Sequence, residues 1–207
     1  FASCIAVDKN GNYLLASSFD EVTVYDVNTF QSIFFMENES GISFTYDVMF
    51  SKGNREMAVI TYKKEELAGV YIIDIQTQEV VDYLTGHSNI SSMWVEDEYI
   101  YLAAYTGHEN IGGAIYCITP EGKLVWEQEL EGMPDDIKAY RAATEDVVAY
   151  TQYSVLTVLS QEDGSVICQT DSGREIKNHL ATEPQWQCFT SSPPQNKEYN
   201  FNYFAAK

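Results

Sequence analysis

Apolar residues recur along this chain in runs of four to seven, alternating with polar positions and bounded by Gly, Asn or Asp. A period of two closed by turn residues predicts β-strands. The runs group in fours. The first group is Cys4–Val7, Tyr13–Ser17, Val22–Val27 and Ser32–Met36; the second is Phe44–Phe50, Met57–Tyr62, Val70–Ile75 and Val80–Leu84. The third is Ile90–Val95, Tyr99–Ala103, Ala114–Ile118 and Leu124–Glu129; the fourth is Ile137–Arg141, Val147–Thr151, Leu156–Leu159 and Ser165–Gln169. Helical periodicity is absent, save for a turn expected around Pro134-Asp135-Asp136. The segment Lys63-Lys64-Glu65-Glu66-Leu67 reads as a charged, solvated loop, and Asp8-Lys9-Asn10-Gly11-Asn12 as a hairpin turn in which Gly and Asn supply positive φ.

The groups repeat one another. Val70 to Tyr83 lies over Val22 to Phe35 with Asp26 on Asp74 and Thr29 on Thr77; Ala114 to Trp126 and Val155 to Cys168 repeat the shape. Asp26 to Asp74 is a step of 48, Asp82 to Trp126 one of 44, and Trp126 to Cys168 one of 42. A 40-odd-residue unit of short strands is the pattern of a β-propeller blade. Such a unit cannot bury both its faces alone and must stack on its neighbours. The expected fold is therefore all-β, with blades at about 1–40, 41–86, 87–132 and 133–173 and a partial fifth at 174–207, together forming part of a seven- or eight-bladed ring. Val24, Ile72, Tyr116 and Leu156 or Val158 are expected at equivalent, buried third-strand positions.

Composition agrees with a packed domain: 45% hydrophobic and 14% aromatic residues exclude disorder. No apolar run approaches the roughly 18 residues of a membrane-spanning helix. Phe1 in place of Met is what a piece of a longer protein would show. The formal charge of −19 reads first as a solubility device. With 12 Lys+Arg dispersed along the chain, the basic stripe that neutralises phosphates is missing, which argues against nucleic-acid binding. Cys4, Cys117, Cys168 and Cys188 stand singly and form no C-x-x-C pair, so they read as small buried hydrophobes, with a Cys168–Cys188 bridge left open.

Two propeller families share motifs with these blades. Leu84-Thr85-Gly86-His87 ahead of two strands resembles the start of a WD-repeat, although the closing Trp-Asp pair is absent. Gly113-Ala114-Ile115-Tyr116 leading through Gly122-Lys123-Leu124-Val125 to Trp126 resembles the tail of a quinoprotein-type (PQQ-like) repeat. That likeness implies that Trp126 serves as an inter-blade anchor; Gly122 and Gly164 of the tail, and Asp26 and Asp74 of the repeat, are expected to be structural. Nothing matches the polar residues with which quinone-dependent dehydrogenases hold quinone and calcium, so no cofactor is expected.

One local duplication offers chemistry. Thr85-Gly86-His87-Ser88-Asn89-Ile90 and Thr106-Gly107-His108-Glu109-Asn110-Ile111 would emerge on the same face of the ring. His87, His108 and Glu109 are thus a candidate metal site, against the simpler reading of Gly-His as a turn fixed by hydrogen bonds. No nucleophile elbow occurs, and with 31 Asp+Glu any carboxylate pair is expected by chance. The favoured expectation is a non-catalytic propeller that binds a protein or small ligand, or packs on further blades of its own polypeptide, within a multidomain protein. The alternative is a quinoprotein-like or glycosidase-like enzyme with its site at the ring centre. Polar residues repeated on the inner strands would favour the enzyme. Those strands read Ile5-Ala6-Val7, Asp47-Val48-Met49 and Ser92-Met93-Trp94, mostly apolar.

Overall fold

The computed structural model describes residues 4–39, 41–107, 112–141, 146–171 and 173, with the side chains of residues 45 and 46 excepted. They form sixteen strands and no helix. Sheet one comprises β1 (Cys4–Val7), β2 (Tyr13–Ser17), β3 (Glu21–Asp26) and β4 (Ser32–Glu37); sheet two β5 (Ile42–Phe50), β6 (Met57–Lys64), β7 (Leu67–Asp74) and β8 (Val80–Leu84). Sheet three holds β9 (Asn89–Val95), β10 (Ile100–Tyr105), β11 (Gly113–Ile118) and β12 (Leu124–Leu130); sheet four β13 (Asp136–Arg141), β14 (Asp146–Gln152), β15 (Val155–Ser160) and β16 (Val166–Asp171). Each sheet is an antiparallel meander in chain order. The first strands of successive sheets touch one another (β1 with β5, β5 with β9, β9 with β13), which makes them the inner strands of a partial β-propeller. The fifth group, 174–207, lies outside the described residues.

Packing between blades follows the strand period of two. Leu15, Val22 and Val24 of sheet one meet Ala58, Ile60, Tyr62 and Ile73 of sheet two. The opposite face of sheet two, with Met57, Val59, Val70 and Ile72, meets Ile100, Leu102, Ala104, Ala114 and Tyr116. Tyr101, Ala103, Ile115 and Cys117 then face Ala139, Val148, Tyr150 and Leu159. The middle sheets are apolar on both faces because both are covered.

The turns after the third strand set the register of the repeat. Asp26 Oδ1 accepts the N–H groups of Asn28 and Thr29 at 2.8 and 2.9 Å, and Asp74 Oδ1 accepts those of Gln76 and Thr77 at 3.0 and 2.9 Å. Thr119 and Ser160 hold the same place in sheets three and four, their hydroxyls accepting Glu121 N–H and Glu162 N–H, both at 3.3 Å. Short polar side chains that bond backbone two residues on are the usual way to start such turns. Counted from these residues, the equivalents of Val24 and Ile72 are Cys117 and Val158. Tyr116 is therefore one residue out of register and faces backward onto sheet two, although it is buried as expected. The turn of sheet three is one residue shorter, and that misled the sequence alignment. For the same reason the partner of Trp126 in sheet two is Val81, opposite Ile72, and not Asp82.

A second recurrent device lies at each blade boundary. Phe30, Gln78, Gly122 and Gly164 occupy the left-handed region at equivalent turn positions. A Cβ on Gly164 would sit 2.7 Å from the Trp126 ring, and one on Gly122 would sit 2.8 Å from Val81 Cγ1. At the first boundary Gln78 reaches back instead, donating from Nε2 to Ile33 O at 2.7 Å. Trp126 is 8% exposed and donates its indole N–H to Gln161 O at 2.9 Å, so each blade's last strand is clasped by the following blade's turn. The expected loop at Lys63–Leu67 contracts to the two-residue turn Glu65-Glu66, with Glu65 at φ 55°, because β6 and β7 pair out to Lys64↔Leu67. Asp136, expected in a turn, begins β13.

Cys4 and Cys117 are unbridged thiols, and burial pushes Cys117 up to about 12. Cys188 lies outside the described residues. The remaining face of sheet one carries Ile5, Val7, Tyr25 and Phe35, which are 61, 54, 36 and 53% exposed. Among the described residues no apolar cluster joins sheet four to sheet one.

Trp126→Ala is expected to cost about 3–5 kcal/mol in chemical denaturation, the range for losing a core aromatic, and Gly164→Val to mimic part of that loss because its side chain would displace the indole. A Gly164→Val protein as stable as the wild type would show that the clasp is not tight. Light scattering of the 207-residue chain is expected to show association that rises with concentration. Ile5→Lys with Phe35→Lys should suppress it, since uncovered apolar strand faces seek partners; a concentration-independent monomer would contradict this.

Candidate functional site

Inner strands of three consecutive blades bring polar and charged groups together, the charged ones from β5 and β13. In β5 the pairing jumps from Phe44↔Tyr62 to Val48↔Ile60, a bulge that contains Asp47. Bulges re-aim side chains, and this one leaves the Asp47 carboxyl within electrostatic reach of Lys138 and Asp136 on β13, two blades away. Thr61 Oγ1 steadies the bulge by donating to Asp47 O at 3.1 Å. Asp136, 2% exposed, accepts from Ser92 Oγ at 2.7 Å, Ile137 N–H at 2.9 Å and Lys138 Nζ at 2.9 Å. Burying a carboxylate this deeply requires such partners. Lys138 Nζ also lies 5.2 Å from the centroid of the Trp94 ring, and Lys52 Nζ lies 5.5 Å from the same ring.

The electrostatics follow from burial. Desolvation raises Asp47 to about 6; the Lys138 charge opposes the rise and the Asp136 charge adds to it. Lys52 is lowered, first by desolvation and then by the neighbouring Lys138 ammonium. Asp47 is therefore held well above the ordinary Asp range.

Around this centre the loops joining first to second strands are tied across blades. Asp97 accepts Ser51 Oγ at 2.7 Å, Asn54 N–H at 2.7 Å and Arg55 N–H at 2.8 Å. Burial pushes its carboxyl up, but these hydrogen bonds prevail and hold it below the usual range. Glu56 accepts from Tyr13 OH at 3.1 Å and Gln76 Nε2 at 3.2 Å, while Arg55 approaches Asp74 at 3.9 Å and Glu121 at 3.6 Å.

His87 lies on the opposite side of the ring, in the turn between sheets two and three. Its Nδ1 is 2.8 Å from Tyr116 OH, and its carbonyl accepts Ala68 N–H at 2.8 Å and Thr85 Oγ1 at 3.1 Å. Burial lowers its pKa against the pull of Glu127 and Glu129. The residues proposed to join it, His108 and Glu109, lie outside the described residues. Sequence reasoning missed Asp136 and Lys138, because the fourth group's first strand was begun one residue late and its polar positions were not counted. Strand composition does not reveal that Asp47 of β5 and the Asp136–Lys138 pair of β13 become neighbours through space.

No family model matches the chain, and no curated protein matches it either. Among solved structures, BamB from Moraxella catarrhalis superposes with a TM-score of 0.61 at 13% identity, over 82% of this chain and 49% of that one. A europium-containing methanol dehydrogenase superposes with a TM-score of 0.59 at 12% identity, over 81% of this chain and 41% of that one. A protein of unknown function from Bacteroides caccae shares 12% identity over 83% of this chain and 61% of that one, with a TM-score of 0.49. The likeness to the first two supports a β-propeller fold. The chain spans between 41 and 61% of the length of these three chains.

Because the folded-state pKa of Asp47 is raised, the native protein holds this proton more tightly than the unfolded chain. Its contribution to stability is therefore present at low pH and declines as pH rises from about 4 through about 6. Asp47→Asn should remove that decline, so the variant gains on the wild type above pH 6 in urea titrations run from pH 4.5 to 8. Parallel stability curves for the two proteins would show that Asp47 is not so buried.

Proposed function

We propose that this chain is the blade-forming part of a non-catalytic propeller module within a larger protein, and that it binds its partner or ligand on the loop face centred on Ser51–Glu56 and Asp97. The observation that carries the reading is the cross-blade locking of those loops by Asp97. Loops held rigid before binding lose little entropy on forming a complex. At the centre Asp136 is paired to Lys138 and Ser92. None of these contacts forms the nucleophile-and-base pair that covalent catalysis needs.

A catalytic reading keeps two observations in its favour: polar side chains on three inner strands (Asp47, Ser92, Asp136 and Lys138) and the raised pKa of Asp47, since perturbed carboxyls gather at active sites. On that reading Asp47 would act as the proton-transferring group. The two readings separate in a thermal-shift screen of the full-length protein against small carboxylates, sugars and short peptides, with Asp97→Ala as comparator. Ligand-induced stabilisation is expected in the wild type and is expected to be lost in Asp97→Ala. Stabilisation that persists in the variant, or dye reduction when a quinone cofactor, calcium and a primary alcohol are added, would overturn the binding reading.

A further inference from the structure

We propose that Lys52, Lys138 and Trp94 form a subsite for a small, singly charged organic carboxylate beside the inner strands β9 and β13. The inference rests on the binding reading above and names the ligand chemistry. Two ammonium groups lie 5.5 and 5.2 Å from one indole centroid, and the Lys138 charge helps to lower Lys52. The indole quadrupole offsets part of their repulsion, and Asp136 neutralises Lys138. Lys52 is exposed and has no ion-pair partner among the described residues, although the chain carries 31 acidic residues. An anion arriving there gains the charge-assisted hydrogen bonds that Lys52 does not make internally.

The surroundings set the size of that charge. Asp136 and Asp47 both lie nearby, so a dianion such as phosphate meets repulsion that a monocarboxylate largely escapes. Asp47 also couples binding to pH. The groups facing it are Lys138 and Asp136 on β13. When Asp47 is protonated the cluster gains net positive charge, and when it ionises its carboxylate competes for Lys138. Carboxylate binding should therefore weaken as pH rises through about 6.

Isothermal titration calorimetry with benzoate at pH 5.5 and 7.5 tests this, at constant ionic strength and on the full-length protein. Saturable binding is expected, tighter at pH 5.5, with neutral benzamide and inorganic phosphate both weaker. Lys52→Met should weaken benzoate by about tenfold or more, the effect of losing one charged hydrogen bond. Lys64→Met, an exposed lysine on the opposite side of the ring with the same change in net charge, should leave it unaltered. Asp47→Asn should abolish the pH difference while retaining binding. Equal losses in the two lysine variants, benzamide binding as well as benzoate, or no saturable heat would overturn the subsite. Any of these would leave the loop-face reading to stand or fall on Asp97→Ala.

Discussion

A four-stranded sheet that is apolar on both faces must be covered twice, and that requirement governs this chain. Val59, Val70 and Ile72 point one way from sheet two and Ala58, Ile60 and Ile73 the other, and each set is buried only because a neighbouring blade lies against it. Stability is consequently shared between blades and not owned by any one. The clasp at each boundary adds direction to the stacking: Trp126 on Gly164, Val81 on Gly122 and Gln78 on Ile33 fix how far each blade slides over the last. Where the covering fails, as on the Ile5–Phe35 face of sheet one, apolar side chains stand in solvent.

The same stacking concentrates charge. Radial arrangement brings the first strands of all blades to one narrow place, so a single Asp in β5 and an Asp–Lys pair in β13 become neighbours through space. Low solvent access there raises the Asp47 pKa and obliges Asp136 to collect three hydrogen bonds. The net charge of −19 is a property of the whole chain and says little about this inner edge, where two lysines lie on an aromatic ring and Asp136 is paired.

Sequence alone determined the strands, their grouping in fours and the blade repeat, because alternation with period two and Asx-type turns are local properties. Asp26 and Asp74 could be matched by eye since each starts the same turn with the same side chain. Trp126 could be placed between blades because the Gly-Lys-x-x-Trp tail is contiguous. Tertiary structure alone decided the register of Tyr116, where a turn one residue shorter shifted the face without changing the apolar pattern. It also decided the closure of the Glu65-Glu66 hairpin, where cross-strand pairing overrode a charged composition. The cluster of Asp47, Ser92, Trp94, Asp136 and Lys138 was invisible for a plainer reason: its members lie on three blades up to 91 residues apart, and only the stacking of blades makes them neighbours.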